Sequence, residues 1–145
     1  MNFHTLLSRH ANAFPGKLAL QDEGRAIHYA ELAAEVDRLA AYMQQQGARR
    51  GERLALWMPN CIEWLVSFLA CAKLGMTVVT VNTRFREREV GLLLERGRCT
   101  WLVMWPAFKG LPFVEILSRI DPERLSRLKY VLGVGDCTAL QEMLS

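Results

Sequence analysis

Residues 51–85 read as one complete strand–helix–strand unit, and this unit constrains the fold more than any other part of the chain. Its first part, residues 53–58, is a short and nearly unbroken apolar run, which is typical of a strand buried on both faces of a parallel sheet. Residues 76–81 are β-branched and apolar and predict a second strand. Two consecutive strands joined by a helix are parallel, with a right-handed crossover. The sequence therefore predicts an α/β fold.

The helix between these two strands is predicted to begin at Cys61. Asn60 is a good N-cap residue, because its side-chain oxygen can accept from the amide of Glu63 while Glu63 reaches back to the amide of Asn60. The helix is apolar on nearly every side, so other elements should cover it. Lys73 suits the negative end of the helix dipole, and Gly75 suits a left-handed residue after the last turn.

Hydrophobic periodicity and turn residues predict the remaining elements. Before the central unit they are a helix over residues 2–13, a hairpin with strands 17–21 and 25–29, and a helix from about Tyr29 to Gln46. After it they are a helix over residues 87–96, a strand over 100–105, a loop over 106–112, a short helix over 113–120, a strand over 128–134 and a short helix over 138–145. This alternation predicts an open, mostly parallel sheet flanked by helices, preceded by an N-terminal helix and a β-hairpin.

Composition narrows the class of protein and of partner. The 145 residues fit one domain, and the small net charge of +3, with basic and acidic residues interleaved, argues against nucleic-acid binding. The longest apolar stretch, residues 64–72, is far below the roughly 20 residues that a membrane span needs, and the N-terminus lacks a signal-peptide pattern. The sequence has four cysteines, and no two of them form a C-x-x-C motif. This favours free thiols in a reducing cytoplasm.

No segment carries a recognisable phosphate-binding or metal-binding motif. The best glycine-rich candidate is Gly133-Val134-Gly135, but Thr138 stands at the third glycine position, and the sequence stops before an acidic ribose-binding residue would be reached. The histidines His4, His10 and His28 do not have metal-ligand spacing. Structural or surface roles are therefore predicted for all of them.

The serines, paired acids and tryptophans are also given structural roles. No serine lies in a G-x-S-x-G turn. The acid pairs Glu87/Glu89 and Asp121/Glu123 lie at predicted helix starts, where they stabilise the helix dipole. Core packing is expected, rather than ligand stacking, for the tryptophans, which are Trp57, Trp64, Trp101 and Trp105. By residue chemistry alone, the chain is an α/β domain without a catalytic constellation.

Four segments, in this order and spacing, resemble the N-terminal region of the adenylate-forming (AMP-binding) superfamily of acyl-CoA synthetases, aryl-CoA ligases and peptide-synthetase adenylation domains. They are HYAEL at 28–32, GERLALWMPNCIEW at 51–64, LACAKLGMTVVTVNTRF at 69–85 and EREVGLLLERG at 87–97. Val81-Asn82 and the core rich in Trp and Cys look more like the acyl- and aryl-CoA ligases. The resemblance covers about residues 3–135 and implies that residues 1–145 are the N-terminal part of the adenylation domain, truncated before its phosphate-binding loop.

The resemblance implies that the parent protein is an ATP-dependent acid–CoA ligase. Such enzymes use Mg-ATP to convert a carboxylic acid, here expected to be fatty or aromatic, to an acyl-adenylate, and then transfer the acyl group to coenzyme A. Their phosphate loop, acid pocket, ribose-binding Asp and catalytic Lys come later in the chain. No catalytic, cofactor-binding or metal residue is therefore assigned here, and the chain alone is expected to be inactive and to hold no cofactor. Lys109-Gly110 falls where some relatives approach the CoA phosphates, but the sequence around it does not match that of those relatives.

Two other hypotheses remain open. One is a stand-alone, non-catalytic domain that pairs with another chain, and the other is a small α/β module that binds a nucleotide or acyl-CoA without turnover. Under the leading hypothesis, apolar faces left uncovered by a cut after Ser145 would favour homodimers or aggregation.

Three positions depart from the family pattern. His28 stands where the family commonly has an N-cap Thr, so only the Glu31 half of the capping box is expected to remain. Arg86 likewise replaces a usual N-cap before Glu89. Thr80 stands where relatives often have Pro.

Overall fold

The computed structural model describes residues 3–22, 24–106 and 112–134. The chain divides into two compact units. The helical unit comprises residues 1–52 and 60–77, and the sheet unit comprises residues 53–59 and 78–145. The helix predicted over residues 138–145 lies outside the described residues.

The helical unit is formed by helices packed with an antiparallel hairpin. Its elements are α1 (Phe3–Ala13), β1 (Leu18–Gln21), β2 (Ala26–His28), α2 (Tyr29–Gln45) and α3 (Ile62–Leu74). The helices α1, α2 and α3 pack against one another, α1 and α2 through an apolar stripe and α3 through a surface that is apolar on nearly every side. Their shared core consists of Leu7, Ile27, Leu32, Val36, Ala40, Ile62, Val66, Leu69 and Ala70. The predicted N-terminal helix, hairpin and amphipathic second helix are therefore confirmed.

The sheet unit is built on a parallel four-stranded sheet. The strands are β3 (Arg53–Trp57), β4 (Thr77–Thr80), β5 (Trp101–Met104) and β6 (Tyr130–Gly133), and β4 begins at the boundary between the units. Helices α4 (Glu87–Arg96) and α5 (Phe113–Ser118) belong to the same unit. The strands lie in the order β4-β3-β5-β6, with Leu54 opposite Trp101 and Trp101 opposite Tyr130. The predicted α/β class with a parallel sheet is confirmed.

Large apolar side chains fill the sheet unit. Every residue of β5 is buried, as expected for a central strand of a parallel sheet. The Trp57 ring packs against Phe113 at a centroid distance of 4.7 Å, and Trp101 stacks on Tyr130 at 4.4 Å. Core packing is confirmed for Trp57 and Trp101, which are fully buried. Trp64 and Trp105 are only half-buried.

The predicted start of α3 is wrong. The N-cap residue is Cys61, in extended conformation, and the helix begins at Ile62 rather than at Cys61 with an Asn60 cap. The reason is a contact from a distant part of the chain: the Ile62 amide donates to Oδ2 of Asp22 at 3.0 Å, 40 residues earlier in the sequence. Glu63 then stands at the second helical position and pairs with Arg25.

After each of the helices α2, α3 and α4, one residue takes the left-handed backbone conformation. Gly75 ends α3 with φ 73° and Gly47 follows α2 with φ 93°, as glycine after a helix commonly does. Helix α4 has its predicted bounds, but its C-cap Gly97 is right-handed and Arg98 takes the positive φ of 50°. A non-glycine residue in this conformation costs roughly 1–2 kcal/mol.

The paired acids lie at helix starts, as predicted. Glu89 accepts from the Arg86 amide at 3.2 Å at the start of α4. Asp121 accepts from the Glu123 amide at 3.0 Å and caps a 3-10 helix over Pro122–Leu125, a short element that hydrophobic periodicity did not define. The α5 helix accordingly ends at Ser118, two residues before its predicted end.

His28→Thr is expected to raise the melting temperature. The structure confirms that Glu31 accepts from the His28 amide, at 3.1 Å, and places the imidazole Nδ1 2.6 Å from the same carboxylate. A Thr hydroxyl is a far better N-cap acceptor, and a cap of this kind contributes about 0.5–2 kcal/mol. Thermal unfolding followed by circular dichroism at neutral pH checks the change. A lower melting temperature would show that the His28–Glu31 contact outweighs the restored cap.

Candidate functional site

The strand order identifies one edge of the sheet as the candidate site. From β3 the chain moves to β4 on one side and then returns to β5 on the other, so the order reverses between β3 and β5. Ligands of open α/β sheets bind outside the carboxyl ends of the strands at such a reversal. The residues at these ends are 57–59, 81–82, 105–106 and 133–134, and we call them the carboxyl edge.

The carboxyl edge is apolar, and its backbone is largely paired. The amide of Trp105 donates to the Trp57 carbonyl at 3.3 Å, and the amide of Val134 donates to the Met104 carbonyl at 3.0 Å. The side chain of Asn82 is occupied, because its Oδ1 accepts from the Arg84 amide at 2.8 Å. None of the edge residues carries a titratable or nucleophilic side chain. This edge alone therefore supplies no general acid, base or nucleophile.

One polar atom of the carboxyl edge stands out. Nε1 of Trp57 is buried and has no hydrogen-bond partner among the described residues. A buried donor without a partner costs about 1–3 kcal/mol, because it has lost its hydrogen bonds to water. The indole ring is nevertheless held in place by packing against Phe113.

Most of the other candidate residues of the sequence lie outside the described residues. Gly133 closes β6, whereas Gly135, Thr138 and Lys109-Gly110 lie outside the described residues. Within the described ranges, the structure contains no group of His, Cys, Asp and Glu that could hold a metal ion.

Two histidines are occupied in local contacts. The imidazole Nδ1 of His10 lies 3.2 Å from the Leu6 carbonyl oxygen, and the ring packs near Tyr29 at a centroid distance of 5.5 Å. His28 contacts Glu31 at the start of α2. Both rings are exposed, and these contacts agree with the structural or surface roles predicted for them.

The described cysteines Cys61, Cys71 and Cys99 are buried and form no disulfide, in agreement with the thiol form predicted for them, while Cys137 lies outside the described residues. Burial raises the pKa of the Cys71 thiol to about 12 and that of Cys61 to about 11, and it also raises the pKa of Cys99. The thiolate is the nucleophile and metal ligand, so these thiols are inert near neutral pH.

The buried Cys71 thiol is expected to make the protein less stable in alkali. The unfolded thiol ionises near pH 9, whereas the folded thiol stays neutral up to about pH 12, so the unfolded state gains stability as the pH rises between these values. Urea unfolding at pH 8 and at pH 10 measures the loss, and Cys71→Ala should reduce it. An equal loss in both proteins would show that other groups cause the pH dependence.

A charged contact in the helical unit was missed by sequence reasoning, which assigned residues 22–24 only to a tight turn. Asp22 accepts from the amides of Gly24 and Arg25 through Oδ1, at 2.8 and 2.9 Å, in addition to its contact with Ile62. These hydrogen bonds, with that from Ile62 the largest, hold the pKa of Asp22 below its ordinary value. Asp is favoured at turn starts, but nothing local indicates the contact with α3.

Arg25 of the same turn joins two helices. Its guanidinium donates to both carboxylate oxygens of Glu35 on α2, at 2.8 and 3.1 Å, and to Glu63 on α3 at 3.2 Å. The hydrogen bonds to Glu35 raise the pKa of Arg25 further above its ordinary value. The hairpin turn is therefore hydrogen-bonded to both α2 and α3.

None of the described helices combines the length and the hydrophobicity that crossing a bilayer requires.

Comparison with known proteins agrees with this architecture. The sequence is 34% identical over 115 residues to the medium-chain acyl-CoA ligase ACSF2, mitochondrial, of Rattus norvegicus, covering 78% of this chain and 19% of that protein. It is 30% identical over 120 residues to the putative acyl-CoA synthetase YngI of Bacillus subtilis (strain 168), covering 81% of this chain and 22% of that protein. The chain thus spans about a fifth of the length of these relatives.

A solved structure matches nearly the whole chain. The crystal structure of the N-terminal domain of FACL13 from Mycobacterium tuberculosis superposes with a TM-score of 0.81 at 27% identity, covering 99% of this chain and 36% of that one. The sequence model of the AMP-binding enzyme family matches residues 7–143. The resemblance seen in the four sequence segments is therefore confirmed, and the chain belongs to the AMP-binding enzyme family.

Proposed function

We propose that this chain is the N-terminal part of the adenylation domain of an ATP-dependent acyl-CoA synthetase, ahead of the phosphate-binding loop. The observation that carries the proposal is the match of residues 7–143 to the AMP-binding enzyme family, together with identity to acyl-CoA ligases. The enzyme would convert a carboxylic acid and Mg-ATP to an acyl-adenylate and then to acyl-CoA. A fatty acid is favoured over an aromatic one, because the relative of Rattus norvegicus is named a medium-chain acyl-CoA ligase.

In this proposal the 145 residues supply scaffold and no catalytic, cofactor-binding or metal-binding residue. The chemistry of the carboxyl edge supports this assignment, since its side chains are apolar apart from Asn82 and the indole N–H of Trp57. Adenylate formation requires charge stabilisation at the transferred phosphate, which apolar side chains do not provide. The chain alone is therefore expected to be inactive.

Two measurements test the proposal. The first is the mass of the protein in its native source, detected with an antibody raised against this chain. A species several times heavier than 16.5 kDa supports a ligase of which this chain is a part, and a species at 16.5 kDa contradicts it. The second is ATP–pyrophosphate exchange by the purified chain with octanoate or benzoate, beside an active acyl-CoA synthetase as positive control. Exchange above background would contradict the proposed inactivity.

The alternative is a stand-alone α/β module that binds another protein, a nucleotide or acyl-CoA without turnover. The compact parallel sheet, with its reversal of strand order, favours it as the second candidate. A rise in melting temperature with ATP or octanoyl-CoA, at concentrations where adenosine gives none, would support a binding module. If neither compound raises the melting temperature and the mass in the native source is 16.5 kDa, the remaining candidate is a module that binds another protein.

We also propose that the helical unit can associate with a second copy of the chain. The large hydrophobic side chains that are exposed in the described residues all lie in this unit: Phe3, Leu6, Phe14, Leu18 and Tyr42. Phe3 is 58% exposed and contacts Phe68 edge-on at a centroid distance of 5.3 Å, so two aromatic rings lie side by side on this unit. Sedimentation velocity over a concentration series tests it, with Leu6→Gln as the weakened variant. A monomer at every concentration contradicts it.

A reducing compartment such as the cytoplasm is proposed for the protein. The free, buried thiols of Cys61, Cys71 and Cys99 support it, because oxidising compartments favour disulfides. Localisation of a tagged full-length protein by microscopy is the test, and export to an oxidising compartment would contradict it.

A further inference from the structure

We propose that Asp22 and Arg25 form a clasp that holds the first turn of α3, and that releasing the clasp opens this turn while the sheet unit stays folded. The clasp comprises these two residues, the carboxylates of Glu35 and Glu63 that accept from Arg25, and the Ile62 amide that donates to Asp22. It is a conformational device of the helical unit and goes beyond the proposed function.

The first amide of α3 is bound by a residue from a distant part of the chain. The first amides of an α-helix have no partner within the helical hydrogen-bond ladder and need another acceptor. The Ile62 amide donates to Oδ2 of Asp22 at 3.0 Å. The start of α3 therefore depends on the hairpin turn.

The carboxylate of Asp22 also shapes the hairpin turn. Oδ1 of Asp22 accepts from Gly24 and Arg25, so both carboxylate oxygens are used, one for the turn and one for the helix. A negative charge at a helix N-terminus is favourable as well, because it faces the positive end of the helix dipole. A change at Asp22 must therefore affect turn and helix together.

Arg25 bridges the helices α2 and α3. A planar guanidinium can bind two carboxylates at once, and here it joins Glu35 of α2 to Glu63 of α3. These side chains are partly exposed, so each ion pair by itself contributes little to stability. Their combined effect is geometric, because they fix the turn between the two helices while Asp22 holds the Ile62 amide.

The test is amide hydrogen exchange of the 145-residue chain, resolved by NMR. In Asp22→Ala, the Ile62 amide should exchange about tenfold faster than in the wild type, the factor that corresponds to loss of one hydrogen bond of ordinary strength. Glu63 and Trp64 should follow in the same direction. Leu102 and Val103 of β5 should exchange as before. Asp22→Asn retains an acceptor oxygen and should show a smaller increase.

The matched control is Asp37→Ala. Asp37 accepts from Lys73 at 2.8 Å and so also joins α2 to α3, but near the other end of α3. This variant should leave the exchange of Ile62 unchanged. The proposal is overturned if Asp22→Ala leaves Ile62 unchanged, or if Leu102 and Val103 accelerate as much as Ile62, because the loss is then global.

A titration of the wild type keeps the proposal testable if Asp22→Ala fails to fold. The charged group that acts on Asp22 is Arg25 on its own turn, and Arg25 is itself paired with Glu35 on α2 and Glu63 on α3. Since the folded pKa of Asp22 is lowered, the clasp is closed above that pKa and opens as the pH falls through it. The amide shift of Ile62 should follow the carboxyl shift of Asp22 with the same midpoint. The proposal is overturned if the amide shift of Ile62 does not change at the midpoint of the Asp22 carboxyl shift. Neither measurement uses a substrate, so its outcome is separate from that of the proposed ligase function.

Discussion

Replacing Trp57 by alanine is expected to lower the free energy of unfolding by about 3–5 kcal/mol, the range for truncating a fully buried aromatic side chain. Trp57 has 0% of its surface exposed and lies in the core of the sheet unit beside Phe113. Alanine leaves a cavity that the neighbouring side chains fill only in part. Urea unfolding followed by circular dichroism measures the loss through the midpoint at unchanged slope.

Trp57→Phe is the matched control for this prediction. It keeps an aromatic ring against Phe113 and removes the indole N–H, which has no partner among the described residues. Removing an unpaired buried donor relieves a cost of about 1–3 kcal/mol, which offsets part of the lost volume. The expected net loss is below about 1.5 kcal/mol. A loss as large as that of Trp57→Ala would show that the N–H is hydrogen-bonded.

Ile27→Ala is expected to cost about 2–5 kcal/mol, the range for truncating a buried aliphatic side chain in a core. Ile27 is the buried residue of β2, with 1% of its surface exposed, and it belongs to the core of the helical unit. The same denaturant experiment measures the loss. It tests whether the short hairpin is an integral part of that core.

The control for Ile27 lies on the neighbouring strand. Leu18 of β1 is 47% exposed, so Leu18→Ala removes few buried contacts and should stay within about 0.5 kcal/mol of the wild type. If Leu18→Ala costs as much as Ile27→Ala, the hairpin is sensitive to any truncation, and the assignment of Ile27 to the core is wrong.

Most helices and strands could be predicted because their signals are local. Helix α4 occupies its predicted bounds, and α2 ends one residue before its predicted end, since an apolar stripe and a following glycine define each of them. The buried strands β3 and β5 were recognised from continuous apolar runs. Periodicity of this kind depends only on neighbouring residues.

Local rules failed where a distant residue competed. Asn60 and Glu63 form a plausible capping pair on sequence grounds, but Asp22 supplies an acceptor to Ile62 and Arg25 engages Glu63. The acid pair Asp121/Glu123 indicated a helix start, but the type and extent of the 3-10 helix over Pro122–Leu125 were not predicted, because four residues are too few to show a hydrophobic period.

The sequence by itself determined the α/β class, the position of most elements and, through the order of four motifs, membership of the AMP-binding enzyme family. Only the tertiary structure decided the strand order β4-β3-β5-β6, and with it which strand ends form the carboxyl edge. It also decided which residue caps α3. The physical reason is that strand pairing and the clasp join residues far apart in the chain, whereas periodicity, capping rules and turn preferences act over a few neighbouring residues.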